Sequence, residues 1–154
     1  IKNRIISLND LIVQNTEQEL EIILALFICS KDQDIERFLK TKAVKYEKLG
    51  KSRTFLICSL IDEKIRIIAY FSIALQAIKI SENLSRNQIK NLDGISYQAR
   101  GKLITELPAL LIGQLAKNDL YKNFITGELL MEFCMNTICR WSKIIKWSHH
   151  CFRM

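Results

Sequence analysis

Only five glycines and one proline punctuate the 154 residues of this chain, and its five cysteines form no CxxC pair. Cysteines without a pairing framework exclude a disulfide-stapled secreted domain and point to a reducing compartment, with the cytoplasm expected. Cys29, Cys58 and Cys134 lie inside apolar runs, where a free thiol behaves as a small hydrophobe. No apolar run approaches the ~20 residues that a bilayer-spanning helix needs. The nearest, EIILALFICS, is too short and follows acidic and polar residues. No charged–apolar–small pattern follows Ile1, so no signal peptide is read. The expectation is a soluble segment of a longer frame with no membrane partner. Internal repeats and low-complexity tracts are also missing, so the chain is not a repeat array.

What is present describes a globular domain. Hydrophobic residues make up 49% and charged residues 25%, a balance outside the disordered range. A chain of this length reads as one domain able to bury about 70% of its unfolded surface. The net charge of +7 admits nucleic acid as a substrate or partner. The basic residues are dispersed, however. Between Lys31 and Arg53 they outnumber the acids without forming a stripe, as on a solvated helical face.

Periodicity supplies the element order. RIISL is a short first strand. NTEQELEIILALF places Thr16 three residues before Glu19, the spacing of a capping box ahead of an apolar run. SKDQDIERFLKTKAVKYEKLG is the clearest helix, with Ile35, Phe38, Leu39, Ala43 and Tyr46 apolar, acids at its front and Gly50 just past its end. RTFLICSL and IRIIAYFSIALQAIKI then read as strands joined by the short polar turn IDEK, an antiparallel hairpin. In the second of these, every odd position from Ile65 to Ala77 is apolar, a period of two. Residues 81–105, with Gly94 and Gly101, read as a long polar connection of the kind that serves a ligand or partner. A buried apolar strand from Leu107 to Ala116 follows, with Pro108 at its start, where a missing N–H is tolerated. Last comes a helix carrying Leu129, Leu130, Phe133 and Ile138 on one face. The fold class is α/β, a sheet with helices packed on it.

The scarcity of glycine makes Gly127 informative. In LPALLIGQLAKNDLYKNFITGELL a strand passes through a polar loop into a helix start at Thr126-Gly127. The first turn of a helix has backbone N–H groups without partners and carries partial positive charge, so this order builds an anion cradle. It also serves as an ordinary connection with Thr126 as N-cap.

The stretches DIERFLKTKAVKYEKLGKSRTFLICS, IIAYFSIALQAIKI and LIGQLAKNDLYKNFITGELLMEFCMNTI together resemble the GNAT family of acetyl-CoA-dependent N-acetyltransferases. Within it they are most like toxin-like and uncharacterised bacterial members. The resemblance covers roughly Asp34 to Ile138. It implies a GNAT-like mixed sheet flanked by helices, with 1–138 as the front part of the acyltransferase domain. In that family a strand leads into a Q/R-x-x-G-x-G/A loop whose amides grip the pyrophosphate of coenzyme A, while the strand backbone pairs with the pantetheine arm. Carried over, the strand edge is Gln114, Leu115, Ala116 and Lys117. The loop is Lys122, Asn123, Phe124, Ile125, Thr126 and Gly127, opening the helix at Glu128. Lys122 stands for the Gln or Arg, and Ile125 stands where the first glycine is expected. An Ile still donates its N–H, because the grip is made by backbone.

The resemblance further implies acetyl-CoA as the acyl donor and an amine acceptor: a small molecule, a protein or an aminoacyl-tRNA. Its C-terminal strands, with a tyrosine acid for the departing thiolate, are expected beyond this chain. Residues 139–154, CRWSKIIKWSHHCFRM, form an atypical tail that holds both tryptophans and both histidines, with SKIIKW as a candidate next strand. Cys139, His149, His150 and Cys151 fit no compact zinc spacing, and no metal is expected. No catalytic residue is marked. Glu106, at the start of the apolar strand, is the weak candidate for a base acting through water, and as readily a solvated carboxylate. A non-catalytic CoA-binding or interaction module is the alternative function. A strand apolar on both faces expects cover on both, so self-association, as in a homodimer, is expected.

Overall fold

The computed structural model describes residues 3–81, 83–85, 87–88, 98–99, 102–103 and 106–144. Gly94, Gly101, His149, His150 and Cys151 lie outside the described residues. The chain divides into two compact units, 1–74 with 111–135 and 75–110 with 136–154.

The first unit contains β1 (Arg4–Ser7), α1 (Leu8–Gln14), α2 (Glu17–Ala25), α3 (Gln33–Arg37) and α4 (Ala43–Lys48). Strand β2 (Arg53–Ile61) and the front of β3 (Lys64–Lys79) belong to it as well. The expected capping box is present: the Thr16 side chain accepts from Glu19 N–H, and the Glu19 carboxylate accepts from Thr16 N–H. The helix expected from Asp34 onward is interrupted by a π-turn over Phe38–Lys42. Thr41 Oγ1 takes the Arg37 carbonyl at 2.7 Å, the acceptor that the Thr41 N–H would use in an α-helix, and such competition widens a turn locally. Helix α1 was not anticipated, because it has only seven residues and no side-chain cap at Ser7.

The hairpin β2–β3 turns on Asp62 and Glu63, with φ of 48° and 60°, as a two-residue primed turn requires. Its register skips one residue: Ile57 faces Ala69 while Cys58 faces Ile67, leaving Ile68 as a bulge. With β6 (Glu106–Lys117) the sheet order is β1-β2-β3-β6, and the sheet is antiparallel. Among the described residues β6 is therefore an edge strand. This corrects the expectation of a buried strand. Along β6 only Ala116 is buried, and Leu111 is 47% exposed. Pro108 is acceptable there because an edge leaves one row of amides unpaired.

The strands buried on both faces are instead β2, from Thr54 to Ser59, and β3, from Ile67 to Ile73. The period of two in β3 predicted a strand correctly but not that both parities would be covered. A core of Leu8, Leu24, Phe27, Leu39, Ala43, Leu56, Cys58, Tyr70 and Ala116 lies where the helices meet the sheet. Removing such side chains from water is the main stabilising term.

In the second unit, β4 (Gln98–Ala99) pairs antiparallel with β5 (Lys102–Leu103), inside the stretch read as a long polar connection. The last helix, α5 (Gly127–Ile144), buries Leu130, Cys134 and Ile138 at helical spacing. It runs through position 138 without a break, so the start of SKIIKW is helical, not a strand. No helix among the described residues is long and apolar enough to cross a membrane.

Candidate functional site

The site is built where β6 ends. Leu115 and Lys117 are half-buried, and Ala116 between them turns into the core. The chain then reaches Asn118, which is 1% exposed yet fully hydrogen-bonded, as a buried amide must be. Its Nδ2 donates to the Ile67 carbonyl at 2.9 Å and the Leu26 carbonyl at 3.2 Å. Its Oδ1 accepts from Leu120 N–H at 3.2 Å and Ile28 N–H at 3.4 Å. Its own N–H goes to the Ile68 carbonyl at 2.8 Å, at the bulge of β3.

Asp119 ties down the segment between α2 and α3. Its N–H donates to the Ile28 carbonyl at 2.8 Å, and its Oδ2 accepts from Ser30 N–H and Oγ at 2.7 and 2.6 Å. These two Ser30 bonds hold the Asp119 carboxyl below its usual range. Glu36 acts in the same way, its carboxyl lowered by Cys29 N–H and then by Lys40. Both depressed groups hold the segment in their ionised form. Their contribution is present above the unfolded carboxylate range and is lost as pH falls through the folded values. The Ser30 amide resonance should therefore titrate with an apparent pKa below the ordinary Asp value of about 3.9, and an NMR pH series should lose that titration in Asp119→Asn. A Ser30 titration that survives in Asp119→Asn would contradict the assignment.

Beyond Asn118 a 3-10 helix spans Asp119–Phe124, kinked at Tyr121, whose ring packs edge-on against Phe124 at 6.1 Å. Lys122 and Asn123 are exposed, and Phe124 is half-buried. Lys117 Nζ reaches the Lys122 carbonyl at 3.5 Å, so two ammonium-bearing side chains flank the turn. Ile125 is 3% exposed, with φ −148° and ψ 135°. That is extended backbone open to any residue, which explains why glycine is not needed there: the side chain anchors the loop in the core.

Thr126 then caps α5. Its Oγ1 accepts from Leu129 N–H at 3.1 Å and its carbonyl from Leu130 N–H at 3.1 Å. The amides of Gly127 and Glu128, first in the helix, have no intrahelical acceptor. An added Cβ on Gly127 would meet nothing within 4 Å, and its φ is not in the left-handed region. Neither backbone nor packing demands glycine at this position. Gly127 leaves open space in front of the helix start, beside the exposed Glu128.

Residues 115–117 and 122–128 thus fall in one unit as a continuous strand end, turn and helix start. Glu106 belongs to the other unit and is exposed at the first position of β6. Burial pushes the thiols of Cys58 and Cys134 up to about 11, which keeps both protonated and inert. Asn118 and Asp119 were missed by sequence reading. The available signal was an Asn directly after an apolar strand, a residue that bonds its own turn.

The sequence matches no protein-family model and no curated protein. Solved structures do match. A mutant of KacT superposes with a TM-score of 0.65 at 17% identity, covering 93% of this chain and 72% of that one. AtaT complexed with acetyl-methionyl-tRNAfMet gives 0.64 at 17% identity, over 94% and 73%.

The fold is the GNAT fold.

AtaTR bound with acetyl-CoA also shares this GNAT fold, with a TM-score of 0.63 at 16% identity over 92% of this chain and 71% of that one. The chain spans 61% of the length of a mutant AtaT toxin structure that it also matches. The segment from β6 through Thr126 to α5 has the strand, loop and helix order read from the sequence.

Proposed function

We propose that this chain binds acetyl-CoA and is the front part of an acetyl-CoA-dependent N-acetyltransferase. The observation that carries the reading is the helix start at Gly127: first-turn amides without intrahelical partners, with open space beside the glycine, at the end of the turn that leaves β6, in a GNAT fold. A diphosphate suits that position, because unpaired N–H groups and the helix dipole both favour negative charge. The backbone of Leu115, Ala116 and Lys117 lies on the sheet edge, where an extended pantetheine arm can add its amides. Lys122 contributes positive charge. Asn123, Phe124, Ile125, Thr126 and Glu128 contribute main chain.

In the transfer itself, the acceptor nitrogen attacks the thioester carbonyl carbon and forms the N–C bond, the C–S bond breaks, and the proton that the nitrogen loses is balanced by the one that the departing thiolate takes. The acceptor class favoured is an aminoacyl-tRNA. The AtaT structure named above carries acetyl-methionyl-tRNAfMet, and a net charge of +7 suits a polyanion. A second reading is a CoA-binding module without turnover. It is favoured by the state of Asp119, the acid just before the loop, which is tied to Ser30.

Acetyl-CoA at a hundred times its Kd should stabilise the folded state by about 2.7 kcal/mol, a rise of several degrees in Tm. A folded sample that shows no rise with millimolar acetyl-CoA would overturn the reading. Thiol release on adding aminoacyl-tRNA separates the enzyme from the binding module.

A further inference from the structure

We propose that Asn118 is a positioning residue that decides which backbone amides face the diphosphate. This inference rests on the acetyl-CoA reading above. A chain leaving an edge strand presents a run of consecutive amides, any of which could meet an anion. Here three of them are withdrawn. Asp119 N–H is taken by the Ile28 carbonyl, Leu120 N–H by Asn118 Oδ1, and Tyr121 N–H by the Asn118 carbonyl. Asn118 holds its own place by donating to the Ile67 and Leu26 carbonyls and by sending its N–H to Ile68. The turn is thereby pinned to the bulge of β3, and the amides left for the ligand lie further along the loop, toward the helix start at Gly127.

Oδ1 is the atom that matters most for the ligand. Without it, Leu120 N–H loses its acceptor inside the protein, and the turn has no reason to stay closed. The amides at the helix start would then no longer be held at a set distance from the strand edge. Positioning of this kind affects a ligand that bridges strand and helix, and spares one that touches the strand alone.

The test compares acetyl-CoA with acetyl-pantetheine, which lacks the diphosphate. The wild-type chain should bind acetyl-CoA more tightly than acetyl-pantetheine. Asn118→Ala should weaken acetyl-CoA by about tenfold, the scale of one lost buried hydrogen bond, and leave acetyl-pantetheine within twofold. Asn118→Asp keeps the Oδ acceptor and should retain the preference for acetyl-CoA even where its Tm falls. Equal loss of both ligands in Asn118→Ala, or no loss of either, would overturn the proposal.

Hydrogen exchange on the wild-type chain gives a second measurement, independent of whether any variant folds. The amides of Leu120 and Tyr121 should be protected with or without acetyl-CoA, and those of Gly127 and Glu128 only with it. Protection of Leu120 and Tyr121 that appears only on binding would refute the assignment. A wild-type chain that binds both compounds equally would instead remove the diphosphate cradle itself, and the inference with it.

Discussion

Replacing Gly127 by Asp should abolish acetyl-CoA binding while leaving the fold intact. The two effects separate because of what surrounds this glycine. An added Cβ meets no protein atom within 4 Å, and the backbone is not in the left-handed region. The side chain therefore costs the protein nothing sterically, and an acid in the first turn of a helix is favourable. Relative to glycine, any ordinary residue in a helix also gains up to about 1 kcal/mol from the backbone entropy that glycine loses. Tm should hold or rise. For the ligand the same change is severe. A carboxylate would stand where the diphosphate is proposed to sit, adding both bulk and like charge, and affinity should fall by more than about a hundredfold. Gly127→Ala, which adds bulk alone, should lose less. Isothermal titration of all three proteins checks this, with a thermal melt of each. Parallel loss of Tm and affinity in Gly127→Asp would show that the glycine serves the fold alone.

Truncating Tyr70 should produce the largest loss of stability in the chain. The side chain is fully buried on β3, edge-on to Phe27 with ring centroids 5.1 Å apart, and its hydroxyl donates to the Ile35 carbonyl at 2.6 Å. Burial pushes the phenol far above its ordinary range, so it stays protonated and remains a donor at every accessible pH. Tyr70→Phe keeps the packing and loses the hydrogen bond, a cost of about 1 kcal/mol. Tyr70→Ala also leaves a cavity, and the cost rises to about 3–5 kcal/mol. Against a typical total of about 5–15 kcal/mol, that change threatens folding at ordinary temperature. Urea denaturation monitored by circular dichroism measures both. A midpoint for Tyr70→Ala close to that of Tyr70→Phe would mean that the core collapses around the missing ring.

Local signals determined much of this fold in the sequence alone. Thr16 and Glu19 lie three residues apart, and the bonds of their capping box run only between these two residues, so it needs no tertiary partner. The Asp62-Glu63 turn and the alternation from Ile65 are likewise properties of adjacent residues. Gly127 was legible because a rare residue stood between a strand and a helix. Its cap at Thr126 is again a contact across three positions.

Tertiary structure decided what distance along the chain conceals. Whether an apolar strand is central or at an edge depends on which strands flank it. The run from Leu107 to Ala116 looked buried and proved to be the edge, while β2 and β3 took the covered positions. Helix α1 escaped notice because seven residues carry too little periodicity, and only packing at Leu8 fixes it. Ile125 stands where the family expects a glycine, and the fold places it in extended backbone with its side chain in the core. Asn118 and Asp119 reach Leu26, Ile28 and Ser30 across some ninety residues of sequence. No spacing rule foresees such bonds, because they form only after the helices and the sheet have brought the two segments together.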